Sequence, residues 1–197
     1  MIVDDTALIR RGLRAEYVTL SWNVVGIVVL AVSALSSRSV ALGGFGLDSL
    51  IEIGASTVVV WELTGRHALG QVRAQRVIAG LFLLIAIYLT AQGIWALAVH
   101  HAPRPSGLGI IWTGATVIAM FWLASVKAST GRALEHPVLI TESRVTQVDG
   151  LLALAVFLGV GANGLWHWWW ADAVAGFVIA GYALNEVRHA WRHASEE

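Results

Sequence analysis

Three carboxylates stand where a carboxylate is expensive. Asp48 and Glu52 lie near the middle of an apolar stretch from Ser39 to Leu63, and Asp149 lies near the middle of another from Val138 to Leu165. An ionisable residue at the centre of a membrane-spanning helix costs roughly 2.5–3.5 kcal/mol on insertion scales. Leucine would pack as well at each position without that cost. Asp48 and Glu52 are four residues apart, so on a helix both carboxylates project from one face, about one turn from each other. Such a pair can clamp one cation, as oxygen ligands do for hard and borderline divalent ions. Glu142, Thr146 and Asp149 fall at i, i+4 and i+7 and form a second polar stripe. Glu142 then lies about 10 Å nearer the cytoplasm than Asp149, as an entrance carboxylate would. Asn23, Gln92 and Gln147 are further polar residues in apolar surroundings.

The helix boundaries read from hydropathy leave no lysine, arginine or histidine at mid-depth. Arg144 is the basic residue near the fifth segment, toward its cytoplasmic end. Three central acids without a basic counterpart require an external cation or protons. Other polar positions have simpler explanations. His189 and His193, behind Glu186, have a metal-compatible spacing on a short charged tail that solvation explains. His100 and His101 fall in an outer loop, and Asp172 opens the last helix as an N-cap. A hydrolytic metal centre would draw on stronger ligands, typically histidines, with a general base, so no enzyme is expected.

The elements that must hold these carboxylates are membrane helices. Hydrophobic residues make up 57% of the 197 and charged residues 13%, about half the charge of an ordinary soluble domain. Apolar segments run from Tyr17 to Leu35, Ser39 to Leu63, Val77 to Val99, Leu108 to Val126, Val138 to Leu165 and Ala171 to Val187. Each approaches the roughly 20 residues needed to cross the hydrocarbon layer. The fold class is therefore all-α, a polytopic bundle of six transmembrane helices. With the N-terminus in the cytoplasm, eleven of the 13 Lys and Arg residues fall inside, Lys127 among them, and only Arg38 and Arg104 fall outside. That bias places both termini in the cytoplasm. Residues 1–14 read as a cytoplasmic segment without a cleavable signal pattern, 15–188 as the membrane domain and 189–197 as a tail. Trp166, Trp168, Trp169 and Trp170 suit an interfacial aromatic belt. There are no cysteines, which excludes disulfides, thiolate metal sites and thiol nucleophiles. Gly43, Gly44, Gly46 and Gly54 around the acidic pair suit close helix approach or local bending.

The second segment, SVALGGFGLDSLIEIGASTVVVWEL, resembles the second transmembrane helix of the cation diffusion facilitator family. A small-residue run precedes an acidic-Ser motif, a second ligand follows four positions later, and GAS-like packing residues come after it. Here these are Asp48-Ser49, Glu52 and Gly54-Ala55-Ser56. The stretch from Thr141 to Leu184 is similar to the family's fifth and sixth helices, with an early acid at Glu142, a deep acid at Asp149, and a tryptophan followed by Ala171-Asp172. The resemblance covers about residues 15–190.

It implies an exporter of zinc, manganese, iron, cobalt or a related divalent ion, working as a homodimer that exchanges metal for protons. Where the family usually carries a ligand four residues before the deep acid, this chain has Val145. The implied ligand set is then Asp48, Glu52 and Asp149, completed by water, Thr146 or Asn23. Without imidazole it leans toward harder ions such as manganese; a site that no longer transports is the other reading of Val145. The resemblance also marks the chain as a short form without the family's cytoplasmic C-terminal domain, which leaves dimerisation to membrane helices.

The expectation is a multi-pass protein of the cell membrane that carries divalent metal by proton antiport, with no permanent cofactor. Its partners are the bilayer, the ion and a second copy, and no nucleic acid. Two other classes stay open: a non-transporting scaffold or regulator that uses its acids structurally, and a proton-coupled transporter of small organic cations.

Overall fold

The computed structural model describes residues 5–64 and 71–194. Six helices follow one another: α1 Asp5–Ser37, α2 Val40–Leu63, α3 Gln71–Ala98, α4 Gly107–Ala133, α5 Pro137–Trp166 and α6 Trp169–Ala194. Four contain an apolar window long enough to cross a membrane, namely α1, α2, α4 and α5, and α3 carries a shorter apolar run over Ala86–Ala98. The chain is an all-α polytopic membrane bundle. The helices outrun the apolar segments that announce them, because hydropathy marks only the part lying in hydrocarbon. At 1.5 Å per residue the 33 residues of α1 reach about 50 Å, well beyond a hydrocarbon core of about 30 Å.

Packing arranges the helices around α2, which touches α1, α3, α5 and α6. The strongest pairings are α4 with α5, α1 with α2, and α3 with α6, and α1 also packs on α4 and α5 on α6. A cluster of buried apolar side chains fills the centre, among them Leu30, Leu42, Phe45, Leu89, Val156 and Ile179. Small residues let the helices close in. A methyl group added to Gly44 would strike the side chain of Leu89, and one added to Gly93 would come within 2.7 Å of Phe177. Gly54 has open space beside it, so close approach explains Gly44 and not Gly54.

One end of the bundle gathers the start of α1, the end of α2, the end of α4 and the start of α5. Arg10, Arg11, Arg14, Arg132 and Arg144 stand exposed there. At the other end Trp166, Trp168 and Trp170 are exposed and form a chain of ring contacts. His101 reaches the Arg38 carbonyl at 3.2 Å and rests on Trp95, while His100 lies against Trp169.

Asp172 has a different task from capping its own helix. It lies inside the first turn of α6 and is buried. Its carboxylate accepts from the backbone N–H of Val40 at 2.9 Å and of Ala41 at 3.3 Å, and from the Ser39 hydroxyl. Ser39 in turn accepts from the Leu42 N–H at 3.1 Å. Three of the four orphan donors at the head of α2 are thus satisfied, two of them by a residue from another helix.

Candidate metal site between helices 2, 5 and 6

Asp48 and Glu52 do share one face of α2, and that face meets α5 and α6. Asp48, Ile51 and Glu52 from α2, Val145 and Asp149 from α5, and Tyr182 from α6 line one small cavity. Its volume is about 10 Å³, room for about one water-sized species. All three acids are buried, at 6%, 2% and 4% exposure. Among the described residues no three His, Cys, Asp or Glu side chains stand close enough to form a ready cage. The three carboxylates therefore surround the cavity without converging on one point.

Asp149 is the least satisfied of them. Apart from the neighbouring Asp48 carboxyl, no group among the described residues reaches its oxygens as a donor. Its charged neighbours include the carboxyls of Glu52 and Asp48, which offer no donor when ionised. A buried group left in this state calls for a ligand, a proton or an ion. Val145 brings only methyl groups to the cavity wall, where an imidazole or carboxylate would have supplied a further ligand.

The remaining candidates separate from the cavity. Asn23 is buried in α1, and its amide donates to the Thr19 carbonyl at 3.0 Å. It does not line the cavity. Gln147 is exposed. Glu142 and Thr146 sit beside the cavity in a second polar layer whose centre is Lys127. The side chains of Glu186, His189 and His193 lie outside those described.

Lys127 overturns the expectation that no base reaches the interior. It belongs to α4, which continues to Ala133, and its side chain is fully buried. Its ammonium lies 2.6 Å from Glu142 Oε1 and 3.0 Å from Glu16 Oε2, and it donates to Thr146 Oγ1 at 3.0 Å. Thr146 Oγ1 lies 2.8 Å from Glu52 Oε1 and 3.2 Å from Glu142 Oε1. Ser56 of α2 also donates to Glu142 Oε1, at 3.2 Å. Glu142, read as an entrance carboxylate, is thus the main counter-ion of a buried lysine.

Both missed residues border an apolar segment: Glu16 immediately precedes Tyr17, and Lys127 immediately follows Val126. A signal for Glu16 exists in the spacing of Glu16, Thr19 and Asn23 at i, i+3 and i+7, a polar stripe that continues the helix backwards. With Lys127 included, the region holds five buried acids, Glu16, Asp48, Glu52, Glu142 and Asp149, around one buried base.

Comparison with known proteins agrees with this architecture. The chain is similar to Transmembrane protein 163 of Xenopus laevis, with 24% identity over 178 residues that cover 84% of this chain and 63% of the relative. It thus spans somewhat under two thirds of that relative's length. A family model, the cation efflux transmembrane domain, matches residues 17–196. Since that match begins within α1 and runs through α6, the chain belongs to the cation efflux family, a family of membrane cation transporters.

Proposed function

We propose that this protein exports a divalent metal ion across the cell membrane in exchange for protons, holding the ion between Asp48, Glu52 and Asp149. The observation that carries the proposal is the charge imbalance. Around the cavity and the layer beside it, five buried acids (Glu16, Asp48, Glu52, Glu142 and Asp149) face one buried lysine, an excess of four negative charges if all are ionised. Unbalanced charge at this depth is costly, and a divalent ion together with protons is the economical way to neutralise it. A carboxylate cannot hold a proton and ligate a cation strongly at once. Protons from outside would therefore discharge the metal and allow the empty carrier to return.

The size of the cavity favours an ion over an organic cation. A space of about 10 Å³ admits one water-sized species and no alkylammonium group in this packing. The oxygen-only ligand set, with Val145 at the wall, favours hard ions such as manganese over zinc. The working unit in this reading is a homodimer joined through its membrane helices.

The test is metal flux into proteoliposomes under an imposed pH gradient, comparing manganese, zinc, iron, cobalt, cadmium and magnesium. Flux that depends on the gradient and is lost in Asp48→Asn, at unchanged abundance, is the expected result. Wild-type flux in Asp48→Asn would sink the mechanism. No flux for any ion from folded protein, with Asp48→Asn, Glu52→Gln and Asp149→Asn altering only thermal stability, would point to a scaffold with structural acids.

A further inference from the structure

The hydrogen bonds and ion pairs of Lys127 described above go to Glu16, Glu142 and Thr146, and the Thr146 hydroxyl alone separates it from Glu52, which lines the cavity. The direction of each hydrogen bond along that link follows from the chemistry of its groups. An ammonium can only donate, and a threonine hydroxyl carries one proton and two acceptor lone pairs. The contact of 3.0 Å between Lys127 Nζ and Thr146 Oγ1 therefore occupies a lone pair and leaves the hydroxyl proton for a carboxylate. Two carboxylate oxygens are within reach. Glu142 Oε1 lies at 3.2 Å and already takes the ammonium at 2.6 Å and Ser56 at 3.2 Å. Glu52 Oε1 lies nearer, at 2.8 Å. The proton goes to Glu52.

We propose that Lys127, acting through the Thr146 hydroxyl, is the positioning group that fixes Glu52 as a one-oxygen ligand of the metal pocket. The link pins Oε1 toward Thr146 on α5 and leaves Oε2 for the cavity that Glu52 lines. Thr146 then orients a ligand and does not itself coordinate the ion. Without Lys127 the hydroxyl could turn its proton to either acid, and Glu52 would lose its fixed orientation. Outer groups that orient a metal ligand typically matter by about 10- to 100-fold in affinity. The inference rests on the assignment of Glu52 to the metal pocket but does not require transport.

The experiment measures Mn²⁺ binding to the purified protein by calorimetry, and Mn²⁺ flux in proteoliposomes beside it. Thr146→Val keeps the side-chain shape and removes the link; affinity should fall about 10- to 100-fold, with the loss appearing in KM rather than in maximal flux. Thr146→Ser restores the hydroxyl and should restore affinity. The triple variant Lys127→Met/Glu16→Met/Glu142→Gln removes the ammonium together with both of its counter-ions, so that no buried charge is left uncompensated. It should weaken binding in the same direction, and adding Thr146→Val to it should change little further, because both act through one link. Wild-type affinity in Thr146→Val, or fully additive losses, would overturn the inference. Mn²⁺ binding without flux in the wild type would defeat the transport proposal alone. Absence of Mn²⁺ binding by folded wild-type protein would defeat this inference together with the site.

Discussion

Replacing Lys127 by methionine keeps most of the side-chain volume and removes the charge that holds Glu16 and Glu142 together. Both acids are buried, at 0% and 4% exposure, and the ammonium lies 3.0 and 2.6 Å from them. Removing one partner of a buried ion pair costs about 3–5 kcal/mol, mainly because the charge left behind has lost its compensation. Here two carboxylates would face each other across the space the ammonium occupied. For a chain of this size each kcal/mol shifts Tm by about 2–4 °C, so Lys127→Met should lower Tm by about 6–20 °C. Thermal unfolding of the purified protein in detergent, followed by circular dichroism, reads this directly. The control is the triple variant with Glu16→Met and Glu142→Gln added. Glu16 is held by its ion pair with Lys127, so methionine, which needs no counter-ion, suits it. Glu142 also accepts from Ser56, so glutamine keeps that bond. Most of the lost stability should return in the triple variant. A drop below 2 °C in the single variant, or a triple variant no more stable than the single, would refute the argument from uncompensated charge.

Three further results are expected. Asp172→Ala should destabilise by about 2–4 kcal/mol, since it strips charge-assisted bonds from the head of α2, and Asp172→Asn should cost less; equal melting of both with wild type would count against the cross-helix cap. Gly44→Ala should cost about 1–3 kcal/mol by overpacking against Leu89, and should become nearly neutral in a Leu89→Ala background; the same cost in both backgrounds would place the clash elsewhere. Val145→His brings an imidazole to the cavity wall and should shift the preference for zinc over manganese by about tenfold or more, measured by competition binding; an unchanged ratio would mean that position 145 does not meet the ion.

The legibility of the fold and the site differed residue by residue. Asp48 and Glu52 were readable as a pair because a four-residue interval fixes a shared helical face, and the cavity they line with Asp149 follows from placing two such faces together. Glu142 and Thr146 were readable as a stripe, but their neighbour on α4 was not. Spacing within one helix reports which residues share a face and carries no information about which face of another helix they meet. Lys127 stayed hidden for a further reason. After Val126 the apolar run gives way to Lys127, Ser129, Thr130 and Arg132, so hydropathy ends the segment there and groups the lysine with the cytoplasmic charges, although α4 continues for six more residues after it. Asp172 shows the same limit. Its position near a helix start suggested a local cap, whereas tertiary packing delivered it to the start of a different helix.

The bond between Asp172 and α2 has a consequence for how this chain can vary. Two of the hydrogen bonds that Asp172 accepts come from main-chain amides, those of Val40 and Ala41, and an amide is present whatever the side chain. These two bonds do not depend on the side chains at positions 40 and 41, with proline the exception because it lacks the N–H, so what those side chains must satisfy is packing alone: Ala41 is fully buried in the core and Val40 packs beside it. Position 40, which is half-buried, can thus vary more widely than position 41, where the core admits only a small side chain. A tolerated set limited by size at position 41 and broader at position 40, with proline missing from both, is the signature that a saturation library across residues 39–42 would reveal.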